Sequence, residues 1–437
     1  MHTSDTQYPS RERTALVVGA NGFLGGYIVS TLRRHGWCVL RGVRPSGRPL
    51  HDDERACDFT QMSTSESWRD VLNGVDAVVN AAGILRETGA QTFETIHVTA
   101  PLALAQACIA RGVGRFVQIS ALGVPADGEF IASKHRFDEA LLALPLHGVA
   151  LRPSVVYAPA GSYGGTSLLR ALAAFPGFQL LPGHGNWPIQ PVAAEDLGTL
   201  VALSLQANAR GVYEVGGPTP MTLRDYQRTW RRWMRISGAR ALRVPEALVS
   251  AQVWLWERLG RGPVGETMWR MLRRGNVIHA DAAPRLQADF GFAPRALDDV
   301  LATHPSQVQD RWQAQLYFLA PTLRIAVVTL WLLSALAGLV TPAAEIERLS
   351  AGSMLQQFAP VALARAGGVL DLVLALWLAS GWRPRLAVGL MGVSVLAYTL
   401  VFGGLLPALW LEPLGSLAKN LVLLPALAVL WVLVDRR

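Results

Sequence analysis

The hydrophobic pattern of the chain changes at about residue 318. Before that point, short apolar runs such as TALVV, AVVN and RFVQIS alternate with longer amphipathic segments. After it, residues 325–344 and 386–411 contain no charged side chain, and each run can cross a hydrocarbon core about 30 Å thick. The pattern predicts a soluble α/β domain followed by an all-α transmembrane four-helix bundle.

The first strand and helix are joined by a glycine-rich turn. Gly19, Gly22 and Gly25 follow the apolar run 15–18 and precede a helical segment that ends near Gly36. Glycines allow the backbone to approach a pyrophosphate closely, and a helix N-terminus offers free N–H groups to an anion. Because strand precedes and helix follows, the spacing favours dinucleotide binding over a purely structural turn.

The second strand suggests which dinucleotide is bound. It ends with Arg41 and Arg44, where an NAD site would place an acid, and a guanidinium suits a ribose 2′-phosphate. NADP is therefore favoured and NAD stays possible, although solvated arginines at a strand end are an alternative. Further along, Asp58 and Phe59 are predicted to flank the adenine, and small residues to pass beneath the cofactor. The predicted contacts of this half are Gly19, Asn21, Gly22, Phe23, Leu24, Gly25, Arg41, Arg44, Asp58, Phe59, Ala81, Ala82 and Gly83.

Strands continue to alternate with helices up to residue 220, which predicts a parallel sheet covered on both faces. This stretch resembles the extended and atypical short-chain dehydrogenases through NAAG, QISALG, LRPSVVY, QPVAAEDLG and YEVGGPTPMT. The resemblance implies a Rossmann-type domain in which Ser120 and Lys134 are catalytic. It places Lys134 at the nicotinamide ribose, and Pro153 and Val155 in the loop beside the nicotinamide. A narrower resemblance, to complex I accessory-subunit-like proteins, implies a tightly held cofactor.

One position departs from that family. The family pattern is Tyr-x-x-x-Lys, and here Phe130 stands four residues before Lys134. A phenyl ring cannot supply the proton that accompanies hydride transfer to a ketone. The proton could come from water or from Ser120, Tyr157 or Tyr163, or the domain could bind the cofactor without turnover.

The charge excess is concentrated in the middle of the chain. The net charge is +8, and residues 222–275 contain twelve arginines against four acids, interleaved with tryptophans. Helices with tryptophan and leucine on one side and arginine on the other are typical of a membrane interface. Packing against the sheet is the alternative, and nucleic acid is not predicted because no recognised binding motif occurs. The predicted divisions are 1–13 (polar tail), 14–221 (nucleotide-binding domain), 222–318 (basic tryptophan-rich segment) and 319–437 (membrane domain).

The compartment and metal content are also predicted. Residues 1–13 are polar and lack the apolar core of a secretory signal, so the front domain is expected in the cytoplasm. Three cysteines without paired spacing argue against disulfides and zinc sites. His279 and Asp281 lack further ligands at metal spacing, so no metal site is predicted.

Four membrane spans are predicted, at about 321–341, 359–381, 385–408 and 416–434. Arg383 and Arg385 in a short turn, and the terminal DRR, are expected on the cytoplasmic side of an inner membrane, together with both termini. This region resembles DoxX-like four-helix domains through its span number, an acid in the second span and PLGSLAKNLVLLP. The predicted membrane polar site consists of Arg365, Asp371 and Lys419. Asp371 is expected to face the bundle, where it could bind a quinone headgroup, pass a proton or join helices.

These features lead to two functional hypotheses. The preferred one is an NAD(P)H-dependent oxidoreductase acting on a lipophilic, quinone-like acceptor at the membrane face. The other is a non-catalytic NADP(H)-binding redox sensor or assembly factor with a partner in a membrane complex.

Overall fold

The structure is a computed structural model that describes residues 13–238, 240–258, 260, 265–405, 410–411 and 417–434. Outside these residues lie the predicted polar tail except residue 13, the C-terminal arginines, and the loop between the third and fourth predicted spans except residues 410 and 411. The chain forms two compact units, Met1–Ala314 and Gln315–Arg437. The boundary lies four residues before the one predicted from sequence.

The first unit is built on a parallel sheet of seven strands in the order β11-β6-β5-β4-β1-β2-β3. β1 lies inside the sheet, paired with β2 on one side and β4 on the other. Its residues 15–18 are all buried, as the continuous apolar run predicts for a strand covered on both faces. The strands of this unit are β1 Thr14–Val18, β2 Cys38–Val43, β3 Glu54–Ala56, β4 Ala77–Asn80, β5 Arg115–Ile119, β6 His147–Pro153, β7 Val156–Tyr157, β8 Phe178–Pro182, β9 Pro188–Ile189, β10 Val192–Ala193, β11 Gly211–Val215, β12 Met221–Thr222 and β13 Arg240–Val244.

Helices cover both faces of the sheet. One core contains Ile28, Leu32 and Leu200 against one face, and the other contains Leu104 and Phe137 against the opposite face. The helices are α1 Phe23–Arg34, α2 Ala100–Ala110, α3 Glu129–Ala143, α4 Gly164–Ala173, α5 Ala194–Ser204, α6 Leu223–Trp233, α7 Glu246–Arg258, α8 Glu266–Arg274, α9 Ala282–Phe290 and α10 Leu297–Ala302, with a π-helical turn at Glu94–Thr99 before α2. The predicted Rossmann-type parallel architecture is confirmed.

The basic tryptophan-rich segment behaves differently from helix to helix. Trp230 of α6 and Trp269 of α8 are buried, so these two helices pack as ordinary parts of the first unit. α7 instead exposes Leu248, Trp254 and Leu255. The interfacial interpretation therefore fits α7 and does not fit the tryptophans of α6 and α8.

The second unit is helical. Its helices are α11 Val308–Val340, which begins within the first unit, then α12 Ala343–Ser350, α13 Pro360–Ser380, α14 Pro384–Leu405 and α15 Asn420–Leu433. Among the described residues, α11, α13 and α14 are long and apolar enough to cross a membrane. The fourth predicted span forms a helix of only 14 residues, about 21 Å long, with Pro425 inside it. Three of the four predicted spans are thus found as full-length helices.

Candidate functional site

The glycine-rich turn is shaped by close backbone contacts. Gly19 has φ +80°, and a Cβ there would lie 2.8 Å from the amide nitrogen of Ala82. A Cβ on Gly25 would lie 2.1 Å from the carbonyl oxygen of Gly19, and one on Gly22 would lie 3.1 Å from the same oxygen. Gly22 is the N-cap of α1, and its side of the helix carries free N–H groups. The backbone of the turn is therefore packed too closely to accept a side chain at position 19 or 25.

Two residues of the turn have defined partners. Asn21 Oδ1 accepts a hydrogen bond from Arg41 at the end of β2. Phe23, the first residue of α1, stacks on Tyr163 with ring centroids 6.1 Å apart, while Leu24 packs against the core. The rim of the turn is thus fixed by a strand end on one side and an aromatic pair on the other.

The arginines at the end of β2 are held by side-chain contacts. Arg41 lies 3.4 Å from Glu54 in addition to its bond with Asn21, and Arg44 donates to Gln91 at 3.0 Å. Arg41 also lines a cavity of about 490 Å³ together with Ala20, Gly26, Val29, Ser30, Arg33 and Arg34. Glu54 therefore offsets part of the positive charge of Arg41, which is predicted from the sequence to contact a ribose 2′-phosphate.

The strand ends beyond β2 are arranged as follows. Asp58 accepts hydrogen bonds from the amide and hydroxyl of Thr60, and the Phe59 ring is buried edge-on against Trp68. The Ala82 amide donates to the Asn80 side chain just beyond the end of β4. The Phe59 ring therefore belongs to the core, and the role of this pair toward adenine stays a prediction.

Lys134 lies beneath Gly83, close to the glycine-rich turn. The side chain is buried, its Nζ donates to the carbonyl of Ile119 at 2.9 Å, and a Cβ on the exposed Gly83 would lie 3.2 Å from that nitrogen. Burial lowers the pKa of Lys134 to about 8, against the opposing attraction of the Asp138 carboxylate. The ammonium is therefore close to its titration range at neutral pH.

The Ser120 hydroxyl is bonded to a buried carboxylate. Its hydroxyl donates to Asp138 Oδ2 at 2.7 Å, and the same oxygen accepts from Arg152 Nε at 2.8 Å. Burial raises the pKa of Asp138, and Arg152 and Ser120 oppose that rise. The hydroxyl proton of Ser120 is thus committed to a buried carboxylate.

Phe130 is part of an aromatic cluster. Its ring lies 6.3 Å from the Phe93 ring and 5.6 Å from the His97 ring, both edge-on. His97 accepts from the Ile84 amide at Nε2, so Nδ1 carries the proton toward Ser133 Oγ at 2.9 Å. Burial, with Lys134 nearby, lowers the pKa of His97 to about 2, so the imidazole stays neutral. Where the family has a tyrosine hydroxyl, this chain therefore has the apolar ring of Phe130 and no acid.

The loop after β6 fixes the neighbouring strand ends. The Pro153 carbonyl accepts from the Leu122 amide, and the Val155 carbonyl accepts from the Val192 amide. Tyr157 is buried and its hydroxyl has no hydrogen-bond partner among the described residues, and Tyr163 is half exposed. Of the two, only Tyr163 lies at the surface near the glycine-rich turn.

The first turn of α8 packs against Gly128 and Gly165, and we call this cluster the mouth and define it by Leu85, Gly128, Gly165, Thr267 and Met268. A Cβ on Gly128, the N-cap of α3, would lie 2.4 Å from Thr267 Oγ1, and one on Gly165 would lie 2.2 Å from Met268 Cε. Thr267 and Met268 belong to the first turn of α8. α7 is joined to this cluster by the bond from Trp269 Nε1 to Ser250 and by the 3.5 Å pair of Arg86 and Glu257. The exposed apolar helix α7 is therefore attached directly to the mouth.

Sequence reasoning did not find Asp138, His97, Phe93 or the α8 residues of the mouth. Asp138 follows Lys134 by one helical turn, a spacing that could have pointed to it. The others come from elements distant in sequence and leave no local signal.

Comparison with known proteins assigns both units. Residues 15–175 match the NAD dependent epimerase/dehydratase family, and residues 328–431 match the DoxX-like family. The chain joins an epimerase/dehydratase-type NAD-binding domain to a DoxX-like domain. The predicted resemblances are confirmed.

Individual relatives cover mainly the epimerase/dehydratase-type domain. One is the mitochondrial NADH dehydrogenase [ubiquinone] 1 alpha subcomplex subunit 9 of Arabidopsis thaliana, 29% identical over 51% of this chain and 60% of its own length. Another is the ceramide reductase of Caulobacter vibrioides, 24% identical over 61% of this chain and 85% of its own length. A third is the divinyl chlorophyllide a 8-vinyl-reductase of Oryza sativa, 26% identical over 57% of this chain and 65% of its own length. The chain thus spans less than two thirds of the plant relatives.

Solved structures share the fold. UDP-N-acetylglucosamine 4-epimerase from Bacillus cereus matches with a TM-score of 0.51 at 15% identity, over 68% of this chain and 98% of that one. UDP-glucose 4-epimerase from Thermotoga maritima matches with a TM-score of 0.50 at 16% identity, over 66% and 96%. The chain therefore combines a Rossmann-type fold, shared with these structures, and a DoxX-like domain, and among the described residues three helices are long and apolar enough to cross a membrane.

The DoxX-like domain contains the predicted polar residues, in different settings. Arg365 donates to the carbonyls of Gly338 and Thr341 at 2.7 Å each, so it satisfies the C-terminal carbonyls of α11. Asp371 is buried and accepts from Ser334 of α11 at 2.6 Å, whereas Lys419 is exposed. Arg365 and Asp371 bond to two different places on α11, and Lys419 joins neither.

Proposed function

We propose that the protein is a membrane-anchored NAD(P)H-dependent oxidoreductase that reduces a lipophilic, quinone-like acceptor at the cytoplasmic face of an inner membrane. The balanced reaction is NAD(P)H + H⁺ + quinone → NAD(P)⁺ + quinol. The carrying observation is the apolar wall of Phe130, Phe93 and neutral His97 where a ketone reductase would place its acid.

The cofactor-binding side fits a nicotinamide dinucleotide. The turn of Gly19, Gly22 and Gly25 at the start of α1, which we call the cradle, is packed too closely for a Cβ and presents backbone N–H groups that suit a pyrophosphate. Lys134, beneath exposed Gly83, is placed to hold the nicotinamide ribose. The bound cofactor would supply the hydride.

The wall at Phe130 suits a quinone-like acceptor in particular. Hydride addition to a ketone develops an alkoxide, which a fixed acid must protonate in the transition state. Hydride addition to a quinone develops a phenolate, a far weaker base that can take its proton later. Phe130 and Phe93 would then orient a planar ring by stacking and exclude water from it.

Lys134 is the group best placed to hold a proton near the reaction. With a pKa of about 8, it carries a proton at neutral pH and can give it up at modest cost. Its ammonium would also favour the negative charge that develops on the acceptor.

Two features support NADP and a bilayer partner. Arg41 and Arg44 lie at the end of β2, where a guanidinium would contact a 2′-phosphate, although Glu54 neutralises part of Arg41. α7, attached to the mouth, exposes Leu248, Trp254 and Leu255, a surface that would lie among lipid headgroups and admit an acceptor from the bilayer. Ceramide and chlorophyllide, for which two relatives are named, are also lipophilic.

The test is NADPH oxidation by the full-length protein in nanodiscs, followed by stopped-flow absorbance with a short-chain quinone. We expect turnover of about 1 s⁻¹ or more, within the usual range for enzymes. The matched control is Gly25→Ala, which fills the cradle and should reduce the rate to that of buffer. Calorimetric binding of NADPH without oxidation by any quinone would contradict the proposal.

That contrary result would favour the second candidate, a non-catalytic NADP(H)-binding sensor or assembly factor. Two observations support it. The Ser120 hydroxyl is bonded to Asp138 in the interior, and Phe130 replaces the family tyrosine. The Arabidopsis relative named as a subunit of NADH dehydrogenase supports a membrane-complex partner for this alternative.

A further inference from the structure

The middle of the DoxX-like domain contains a carboxyl group without a cation. Asp371 lies in α13 about 16 Å along the axis from Pro360 and about 14 Å from Ser380. It is 5% exposed, and no arginine or lysine of the described residues forms an ion pair with it. An unpaired carboxylate at this depth is strongly disfavoured, because the hydrocarbon interior cannot solvate it.

Close helix packing places two hydroxyl groups beside this carboxyl. A Cβ on Gly338 of α11 would lie 2.9 Å from Gly368 Cα, so the two helices touch through their backbones. That contact brings Ser334 of α11 within 2.6 Å of Asp371 Oδ2. On α14, the Tyr398 hydroxyl would lie 3.4 Å from a Cβ on Gly367, one turn from Asp371 on the same face of α13.

Some polar groups around α13 are engaged elsewhere, whereas the buried Nε1 of Trp331 on α11 has no hydrogen-bond partner among the described residues. Arg365 on the same helix bonds the carbonyls at the end of α11, and Glu345 of α12 pairs with Arg348 at 2.8 Å. On α15, Asn420 donates to Thr399 of α14. The Tyr398 hydroxyl is shielded from solvent and has no hydrogen-bond partner among the described residues. The hydrogen-bond partner of Asp371 among the described residues is therefore the Ser334 hydroxyl, and the Tyr398 hydroxyl lies against Gly367, one turn away along α13.

We propose that Asp371 is a proton-binding site of the DoxX-like domain, with Ser334 and Tyr398 as its flanking hydroxyls. The carboxyl holds a proton at neutral pH and exchanges it with the solution. The inference does not depend on the proposed reductase activity, because it concerns the second unit alone.

The first measurement uses the full-length protein in proteoliposomes treated with dicyclohexylcarbodiimide, which adds to a protonated carboxylic acid and forms an N-acylurea. Peptide mass mapping should find the adduct at Asp371, with labelling that falls about tenfold for each pH unit above the midpoint of the group. Asp371→Asn should lose the adduct and Asp371→Glu should keep it. Glu345, exposed and ion-paired, is the internal control and should stay unlabelled.

Infrared spectroscopy decides the case if the reagent does not reach the site. The difference between wild type and Asp371→Asn at neutral pH should be the carbonyl band of a protonated carboxyl, shifted in D₂O. Ser334→Ala should move that band to higher frequency, because one hydrogen bond is lost. A carboxylate band in place of the acid band, or an acid band unchanged in D₂O, would overturn the proposal, since Asp371 would then be ionised or a static link between helices.

Discussion

Gly25 and Gly26 are adjacent in sequence and have opposite surroundings. A Cβ on Gly25 would collide with the Gly19 carbonyl, whereas one on Gly26 would meet no atom within 4 Å. We expect Gly25→Ala to destabilise the domain by about 1–3 kcal/mol through overpacking and to remove NAD(P)H binding. Gly26→Ala should keep binding and stabilise α1 by about 0.5–1 kcal/mol. Thermal unfolding measures the stability of each variant and calorimetric titration measures its NAD(P)H binding. Equal results for the two variants would contradict the inference that only position 25 excludes a side chain.

Lys134 should titrate near pH 8. The chain contains only two lysines, Lys134 and Lys419, so ¹⁵N-lysine NMR should give two side-chain signals, of which Lys134→Arg removes one. We expect the Lys134 signal to titrate at about pH 8, because burial disfavours the ammonium.

The lowered pKa of Lys134 should also make the stability of the fold depend on pH. The pKa in the folded protein is below its ordinary value of 10.5, so between those pH values the unfolded chain binds more protons. The free energy of unfolding should rise across that window, by up to about 1.4 kcal/mol per pH unit. Lys134→Met should lose this slope in chemical denaturation; a slope that persists would assign the effect to another group.

At the scale of elements, α7 and α8 both contain tryptophan but differ in its surroundings. Trp269 of α8 is 5% exposed and packs edge-on against Trp187, while Trp254 of α7 is 56% exposed. We expect Trp269→Ala to lower the free energy of unfolding of the first unit by about 3–5 kcal/mol, and Trp254→Ala to change it by less than about 0.5 kcal/mol.

The lipid contact of α7 can be measured separately. A spin label on a cysteine at position 254 of the protein in nanodiscs should be more accessible to oxygen than to a polar nickel reagent, as expected in headgroups and acyl chains. A label at exposed Asn73 is the aqueous control. Equal access of the polar reagent to both positions would contradict the lipid-facing role of α7.

The sequence predicts those parts of the site that depend on local pattern. The glycine-rich turn and the alternation of strands and helices follow from spacing along the chain, whereas the role of Lys134 at the ribose is implied by the family resemblance and stays a prediction. The burial of Trp269 in α8 depends on Trp187, which is distant in sequence, and on Ser250 of the neighbouring helix α7. The Asp138 carboxylate accepts hydrogen bonds from Ser120 and from Arg152, which come from other parts of the sheet, so no local pattern reveals these bonds. α15 has only 14 residues, although the apolar pattern predicted a span over 416–434.

At the scale of the whole molecule, the number of crossings decides where the C-terminus lies. α11, α13 and α14 make three candidate crossings, and α15 is about 21 Å long. Arg383 and Arg385 favour a cytoplasmic turn between α13 and α14, so we expect the first unit and the C-terminus on the same side. A C-terminal green fluorescent protein should then fluoresce, and a C-terminal alkaline phosphatase should be inactive. The opposite result would mean that the segment containing α15 does not cross.

The bond between Ser120 and Asp138 bears on how the protein could change its chemistry during evolution. A tyrosine at position 130 alone would restore one hydroxyl, while the serine would still give its proton to the interior. If the proposed function holds, ketone reduction would therefore need a second substitution that frees Ser120. Removal of the Asp138 carboxylate would free it, but would leave Arg152 without its ion-pair partner.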